Sequence, residues 1–316
     1  MKTAFLFPGQ GSQYVGMAAD LYDRFPEASA VIDQADQHLD FPLKERMFGA
    51  GGDAEAEKDA LTQTDVTQPA LYVHSLAAFA VLEAKGHTPD MTAGHSLGEY
   101  SALAAADALD FLDGLRLVRL RGQLMARAGE ERPGAMAAVL NLDADVLERI
   151  CSEATDAGDG VVQCANFNAP GQIVISGDSE AVIRASDAAS KAGARRVVSL
   201  PVSGAFHSPL MEYARDGLAE ALDKAKIRAP RCPVYLNVTA EPTTNPDEIR
   251  RRLLDQLTAP VRWAQTLEAM RTDGAERFVE VGAGNVLSGL VKRTLGRDLD
   301  TATAGTADEL AKMEEG

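Results

Sequence analysis

Gly94-His95-Ser96-Leu97-Gly98 sets a serine between two glycines where a short apolar run, Met91-Thr92-Ala93, gives way to an alanine- and leucine-rich segment over 99–109. The run predicts a buried strand and the segment a helix. A serine at such a junction projects from a tight, strained turn. The small residues beside it let the backbone bend sharply, and the helix behind offers free N–H groups and a positive dipole end to a developing oxyanion. This pattern describes a nucleophile elbow, which serves acyl transfer through a covalent serine ester. The plainer reading is a glycine-flanked turn whose serine only caps the helix.

Working outward, residues 3–7 predict a first buried strand, ending in Pro8-Gly9-Gln10-Gly11-Ser12-Gln13, with helical periodicity from Met17 onward. Leu71, Ser75, Ala78 and Leu82 recur at helical spacing within 67–85, just ahead of the strand that leads to Ser96. Strands alternating with helices imply an α/β fold with a mainly parallel sheet. Residues 49–53 and the acidic, alanine-rich stretch after them read as a solvated loop. The stretch 134–200 has its own rhythm, with strands at 135–140, 161–167, 172–176 and 195–200 and helices at 143–157 and 179–192. That β-α-β-β-α-β order specifies a ferredoxin-like unit. The expected organisation is a large domain over 1–131 and 200–316, with a small ferredoxin-like domain over 132–199 inserted and a cleft between them. Residues 233–238 and 277–281 predict further strands of the large sheet, and the tail after Gly305 is expected to be mobile at its end.

Composition narrows the function classes. A chain of 316 residues, 46% hydrophobic and 25% charged, can bury a substantial core. No apolar run approaches the roughly 20 residues of a membrane span, and the apolar start is too short for a signal peptide, so a cytoplasmic location is expected. Cys151, Cys164 and Cys232 are odd in number and widely spaced, which suggests neither a disulfide framework nor a zinc site. No metal or organic cofactor is implied. A net charge of −16 argues against nucleic acid as a partner.

A serine nucleophile needs a base. Of the five histidines, His207 has the most suitable setting, in the turn-rich segment Gly204-Ala205-Phe206-His207-Ser208-Pro209 that follows the small domain. The bland alternative is a loop histidine bonded to backbone. His38, His74 and His87 fall in apparent surface positions, and His95 is expected to support the turn. In the helix expected over 111–128, Arg121 lies on the apolar face with Leu117, Val118, Leu124 and Met125, whereas Arg119 shares its side with Arg116 and Gln123. A buried arginine keeps its charge and must find an anion. That anion is either an internal carboxylate or the carboxylate of a ligand gripped by two prongs, which would select a dicarboxylic half-ester. The loop after the first strand fails the dinucleotide spacing, because Tyr14 stands where a third glycine is required. It either makes a tight turn or brings the N–H of Gln10 to face that of Leu97 as an oxyanion hole.

Together with Arg121-Gly122, Gly134-Ala135-Met136-Ala137-Ala138, Asn166-Phe167-Asn168-Ala169-Pro170-Gly171-Gln172, Gln256-Leu257 and Pro260-Val261-Arg262-Trp263, these motifs resemble the malonyl-CoA:acyl-carrier-protein transacylases of fatty-acid synthesis, over nearly the whole chain. The resemblance implies an α/β-hydrolase-like core with the ferredoxin-like insert, Ser96 as acylated nucleophile, His207 as its base, Arg121 as the clamp on the malonyl carboxylate and the N–H groups of Gln10 and Leu97 as oxyanion donors. It also implies Gln256 as the residue that orients His207, since the family uses a dyad with a neutral oxygen in place of a third acidic member. Asn166 and Asn168 map near the cleft, and bulky Phe206 suggests an unbranched acyl unit. Malonyl-CoA and acyl carrier protein are the implied partners. Ala283 departs from the family's usual proline, and Gly204-Ala205 varies before Phe206. Two other classes share parts of the pattern: a serine hydrolase of small esters, and a docking module for acyl carrier protein that does no chemistry. Because carrier proteins are acidic, a local basic patch must offset this chain's charge, either Lys191, Arg195 and Arg196 or Lys292, Arg293 and Arg297.

Overall fold

A computed structural model describes residues 1–202 and 204–313. Its ten strands are β1 (Lys2–Phe7), β2 (Met91–Gly94), β3 (Gly134–Leu140), β4 (Val162–Ala169), β5 (Gln172–Asp178), β6 (Arg196–Ser199), β7 (Val234–Tyr235), β8 (Pro242–Thr243), β9 (Ala275–Val281) and β10 (Asp300–Ala304). They form two sheets. The larger has the order β10-β9-β1-β2-β7-β8, parallel throughout except for β8, which runs antiparallel to β7. The fold is therefore α/β with a mixed sheet. β1 and β2 lie centrally and end level, Phe7 opposite Gly94, so the loops that follow them meet at one edge. Both strands are buried from Ala4 to Phe7 and across Met91–Gly94, as continuous apolar strands between helical layers should be.

The helix Thr64–Ala84 is nearly all buried and lies against the amphipathic helix Phe111–Glu131. Pro69 lies inside the first and has no N–H for the carbonyl of Asp65. Arg119 of the second donates to that carbonyl from Nη1 at 2.7 Å and also pairs with the carboxylates of Asp65 and Asp40. Arg119 thus fixes the outer side of the helix pair and leaves Arg121 facing inward.

The second sheet is antiparallel, in the order β4-β5-β3-β6. Its side chains alternate: Val139, Ile173 and Ile175 join a core with Leu147 and Ile150 under the helices Ala144–Asp156 and Ser179–Lys191, while Met136 and Val174 point to the core of the larger sheet. Val261 hydrogen-bonds to β4 through Ala165 and Phe167, each at 2.8 Å, and stitches the two sheets together.

Several expectations need correction. The stretch read as solvated loop after Asp53 is the helix Ala54–Thr62, N-capped by Asp53; its sparse apolar content hid it. The helix after Ser96 stops at Ala105, where Asp107 takes φ 60° and turns the chain. The expected strand at 233–238 shrinks to two residues, because Leu236 begins a turn that returns as β8. The tail forms the helix Ala307–Lys312, held by a Thr306/Glu309 capping box and buried Leu310; the end of the tail, residues 314–316, lies outside the described residues. His74 is fully buried, with Nε2 2.7 Å from the Gly305 carbonyl. All three cysteines are free and buried. Among the described residues no helix is long and apolar enough to cross a membrane, and no group of three or more His, Cys, Asp or Glu side chains is placed to hold a metal.

Candidate active site

Ser96 sits at the end of β2 with φ 52°, a left-handed conformation that costs a non-glycine residue roughly 1 kcal/mol or more. The turn is this tight because Gly94 and Gly98 leave no room: a Cβ on Gly94 would strike the Gly98 carbonyl, and one on Gly98 would strike the carbonyl of Phe7. Asn237 clamps the turn. Its Oδ1 accepts from the Ser96 N–H at 2.6 Å and its Nδ2 donates to the Gly94 carbonyl at 2.7 Å. Its own N–H donates to Oε2 of Glu99 at 2.8 Å, which ties the clamp to the first turn of the following helix.

His207 arrives from far along the chain, with φ 56° and 4% exposure. Its Nδ1 lies 2.8 Å from the backbone carbonyl of Gln256, which can only accept, so Nδ1 carries the proton. Nε2 is then the bare nitrogen, 2.8 Å from Ser96 Oγ. The loop is held by Gln163 of β4, whose Nε2 donates to the carbonyls of His207 and Thr258. Burial pushes the His207 imidazole down to about 3, helped by the positive charge of Arg121. The sign is clear: a lowered value means the neutral, proton-accepting form persists as pH falls. The rate of Ser96 acylation should therefore not drop between pH 7.5 and 5.5, whereas an imidazole titrating at about 6.5 would lose about tenfold. Stopped-flow acylation across that range checks this.

Arg121 is 1% exposed. Its Nη1 donates to Gln68 Oε1 at 2.8 Å, and its Nη2 donates to Gln256 Oε1 at 2.8 Å and to Ser96 Oγ at 3.0 Å. The Tyr100 ring lies 5.7 Å from the guanidinium carbon. All these partners are neutral, and no ion pair to Arg121 occurs among the described residues, so the internal-ion-pair reading does not hold. Among the described residues the Arg121 guanidinium is thus buried beside Ser96 Oγ with neutral hydrogen-bond acceptors only.

Ser96, His207, Arg121, Gln10, Leu97, Asn166, Asn168 and Phe206 line one cavity of about 190 Å³, together with Met125, Met136 and Val174. Gln256 stands behind them and joins three: His207 through its carbonyl, Arg121 through Oε1, and the Ser96 carbonyl through Nε2 at 3.1 Å. The backbone N–H groups of Gln10 and Leu97 have no acceptor among the described residues. His95 supports the turn, with Nε2 2.8 Å from Asn168 Oδ1 and its ring tilted over Trp263. Asn237, Glu99, Gln68 and Gln163 escaped the sequence reading. Gln68 and Glu99 gave a faint signal, polar residues on otherwise apolar helices, while Asn237 and Gln163 gave none.

A serine at a strand-to-helix turn, within 2.8 Å of a histidine nitrogen and facing the same cavity as two free N–H groups, is a candidate site for acyl-group chemistry. The Acyl transferase domain family matches residues 4–314. The malonyl CoA-acyl carrier protein transacylase of Bacillus subtilis (strain 168) is 46% identical over 292 residues, covering 92% of this chain and 90% of that protein. That of Staphylococcus aureus (strain MRSA252) is 41% identical and covers 99% of both. Among solved structures, an acyl carrier protein S-malonyltransferase from Vibrio cholerae superposes with a TM-score of 0.92 at 39% identity, covering 99% of this chain and 100% of that one. A malonyl-transacylase in complex with a type II polyketide-synthase acyl carrier protein gives 0.93 at 39% identity, with full coverage of both chains. The chain belongs to the malonyl CoA-acyl carrier protein transacylase family.

Proposed function

We propose that this protein moves a malonyl group from malonyl-CoA to the phosphopantetheine thiol of an acyl carrier protein, by a ping-pong reaction through a malonyl ester on Ser96. The observation that carries this reading is the placement of Ser96 Oγ between His207 Nε2 at 2.8 Å and the buried Arg121 guanidinium at 3.0 Å. Oγ attacks the thioester carbonyl while its proton passes to Nε2. The tetrahedral oxyanion points at the N–H groups of Gln10 and Leu97. Collapse breaks the C–S bond, and the proton on Nε2 leaves with coenzyme A. The carrier thiol then reverses these steps. Arg121 pairs with the free malonyl carboxylate, which selects malonyl over acetyl and holds the acyl group in one orientation. Gln256 keeps His207 in the accepting tautomer through its backbone carbonyl rather than its side chain.

In this reading residues 1–131 and 200–316 form an α/β-hydrolase-like large domain and 132–199 a ferredoxin-like small one, supported by the β4-β5-β3-β6 order and the two helices on one face. Free buried thiols support a reducing compartment, the cytoplasm. Arg195 and Arg196 of one basic patch share a cleft with Arg293 of the other, which adjoins Lys292 and Arg297. An acidic carrier protein docking there would meet positive charge on an otherwise acidic molecule. Arg293→Glu should raise KM for the carrier about tenfold at low salt and flatten its salt dependence; an unchanged KM would remove this surface from the docking site. The reaction itself is tested by intact mass spectrometry. Mixing with malonyl-CoA should add one malonyl group that the carrier thiol discharges, whereas a hydrolase would release malonate at a matching rate and a docking module would gain no mass.

A further inference from the structure

We propose that Gln163 is a positioning residue for the base: its amide, reaching over from the second sheet, holds His207 within reach of Ser96, so that acyl transfer, but not thioester binding, depends on it. This rests on His207 being the base. Gln163 stands outside the cavity and is placed by β4. In the β4–β5 pair Gln163 lies opposite Ser176 and Cys164 opposite Ile175; the register then slips at Ala165, so that Asn166 lies opposite Val174. Cys164 and Ile175 join the core under the two helices, which turns Gln163 to the opposite face, toward the larger sheet. Asn166 faces the same way and lines the cavity.

The Nε2 of Gln163 donates to the His207 carbonyl at 2.8 Å and to the Thr258 carbonyl at 2.9 Å, which uses both of its protons. No backbone N–H donates to either carbonyl among the described residues, so Gln163 is the donor that satisfies each. Thr258 lies two residues beyond Gln256, whose own carbonyl holds His207 Nδ1 at 2.8 Å. One side chain therefore ties the backbone of the base to the turn that orients its ring. His207 needs the tie. Its φ of 56° is a left-handed conformation that persists in a non-glycine residue only where the surroundings hold it. Without Gln163 the carbonyl of a buried residue loses its donor, and the backbone can relax and carry Nε2 away from Ser96 Oγ, now 2.8 Å distant. Arg121 is held instead by Gln68 and Gln256, so the group that would grip the acyl carboxylate stays in place.

In Gln163→Leu, kcat for malonyl transfer should fall about 10- to 100-fold, while KM for malonyl-CoA changes by less than about twofold. A ring freed from its seat also gains water. The titratable groups that face it, Arg121 from the helix Phe111–Glu131 and His95 from the elbow, disfavour a charged imidazole, as burial does. Moving away from these raises the imidazole toward its ordinary value of about 6.5, so the variant's acylation rate should drop by up to about tenfold from pH 7.5 to pH 5.5, where the parent stays flat. Gln163→Glu keeps the shape but, ionised, has no proton to donate, and should behave like Gln163→Leu. Gln163→Lys keeps N–H donors and should recover most of the loss. That comparison keeps the test decisive if leucine weakens the fold. An unchanged kcat in Gln163→Leu, a loss carried by KM, a flat pH profile in that variant, or equal activity in Gln163→Glu and Gln163→Lys overturns the proposal. His207→Ala separates the two ideas: if it still acylates Ser96 at the parent rate, His207 is not the base, whereas its inactivity beside a fully active Gln163→Leu removes Gln163 alone.

Discussion

Replacing Ser96 with alanine should abolish transfer, lowering kcat by about 10⁴-fold or more, and should remove the malonyl adduct from the intact mass spectrum. The size follows from the site's design. The oxyanion donors, Arg121 and the cavity would all survive the change, yet none of them can form the ester that splits one thiol exchange into two easier steps. The fold should survive as well. Alanine removes one Oγ and relieves hydrogen-bond demands from His207 and Arg121, while the Asn237 clamp on the backbone N–H at 2.6 Å persists. A Ser96→Ala protein with native circular dichroism that still becomes malonylated would show that another group carries the acyl chain.

The second large effect is expected at Arg121. Arg121→Ala should cost malonyl-CoA roughly 150- to 5,000-fold in kcat/KM, the scale of about 3–5 kcal/mol lost when one partner of a buried charge pair is removed. Acetyl-CoA, which has no carboxylate to pair, should lose far less, so the preference between the two collapses. A competition assay with both thioesters reads that ratio directly, and an unchanged ratio would assign malonyl selection to some other group. Arg121→Lys should recover only part of the loss. An ammonium keeps the charge but not the planar fork that reaches Gln68 and Gln256 at once.

The parts of the site legible in the sequence were those whose chemistry leaves a local mark. The Ser96 turn announces itself through two glycines that no other residue could replace at such close approach to Phe7 and to each other. Arg121 was marked by the 3.6-residue period, which put a permanent charge among Leu117, Val118 and Met125. The element sequence of the small sheet, β3, helix, β4, β5, helix, β6, was legible from short strands and helices in alternation. What failed locally was weak in pattern: the polar helix Ala54–Thr62, the two-residue β7 and the burial of His74 beneath Gly305. Asn237 stood inside an apolar run and gave no sign that it would hold the elbow.

Sequence alone determined the alphabet of the site, because strand-to-helix turns, amphipathic faces and glycine-dependent contacts are enforced within a few residues of themselves. Tertiary structure decided which of those letters meet. Ser96 and His207 are 111 positions apart, and Ser96 and Gln256 are 160 apart; the level ends of β1 and β2 and the stitching of Val261 to β4 bring them together. The fate of Arg121 was decided the same way. Its period showed that it would be buried, but only the assembled core surrounds it with the neutral acceptors Gln68, Gln256 and Ser96.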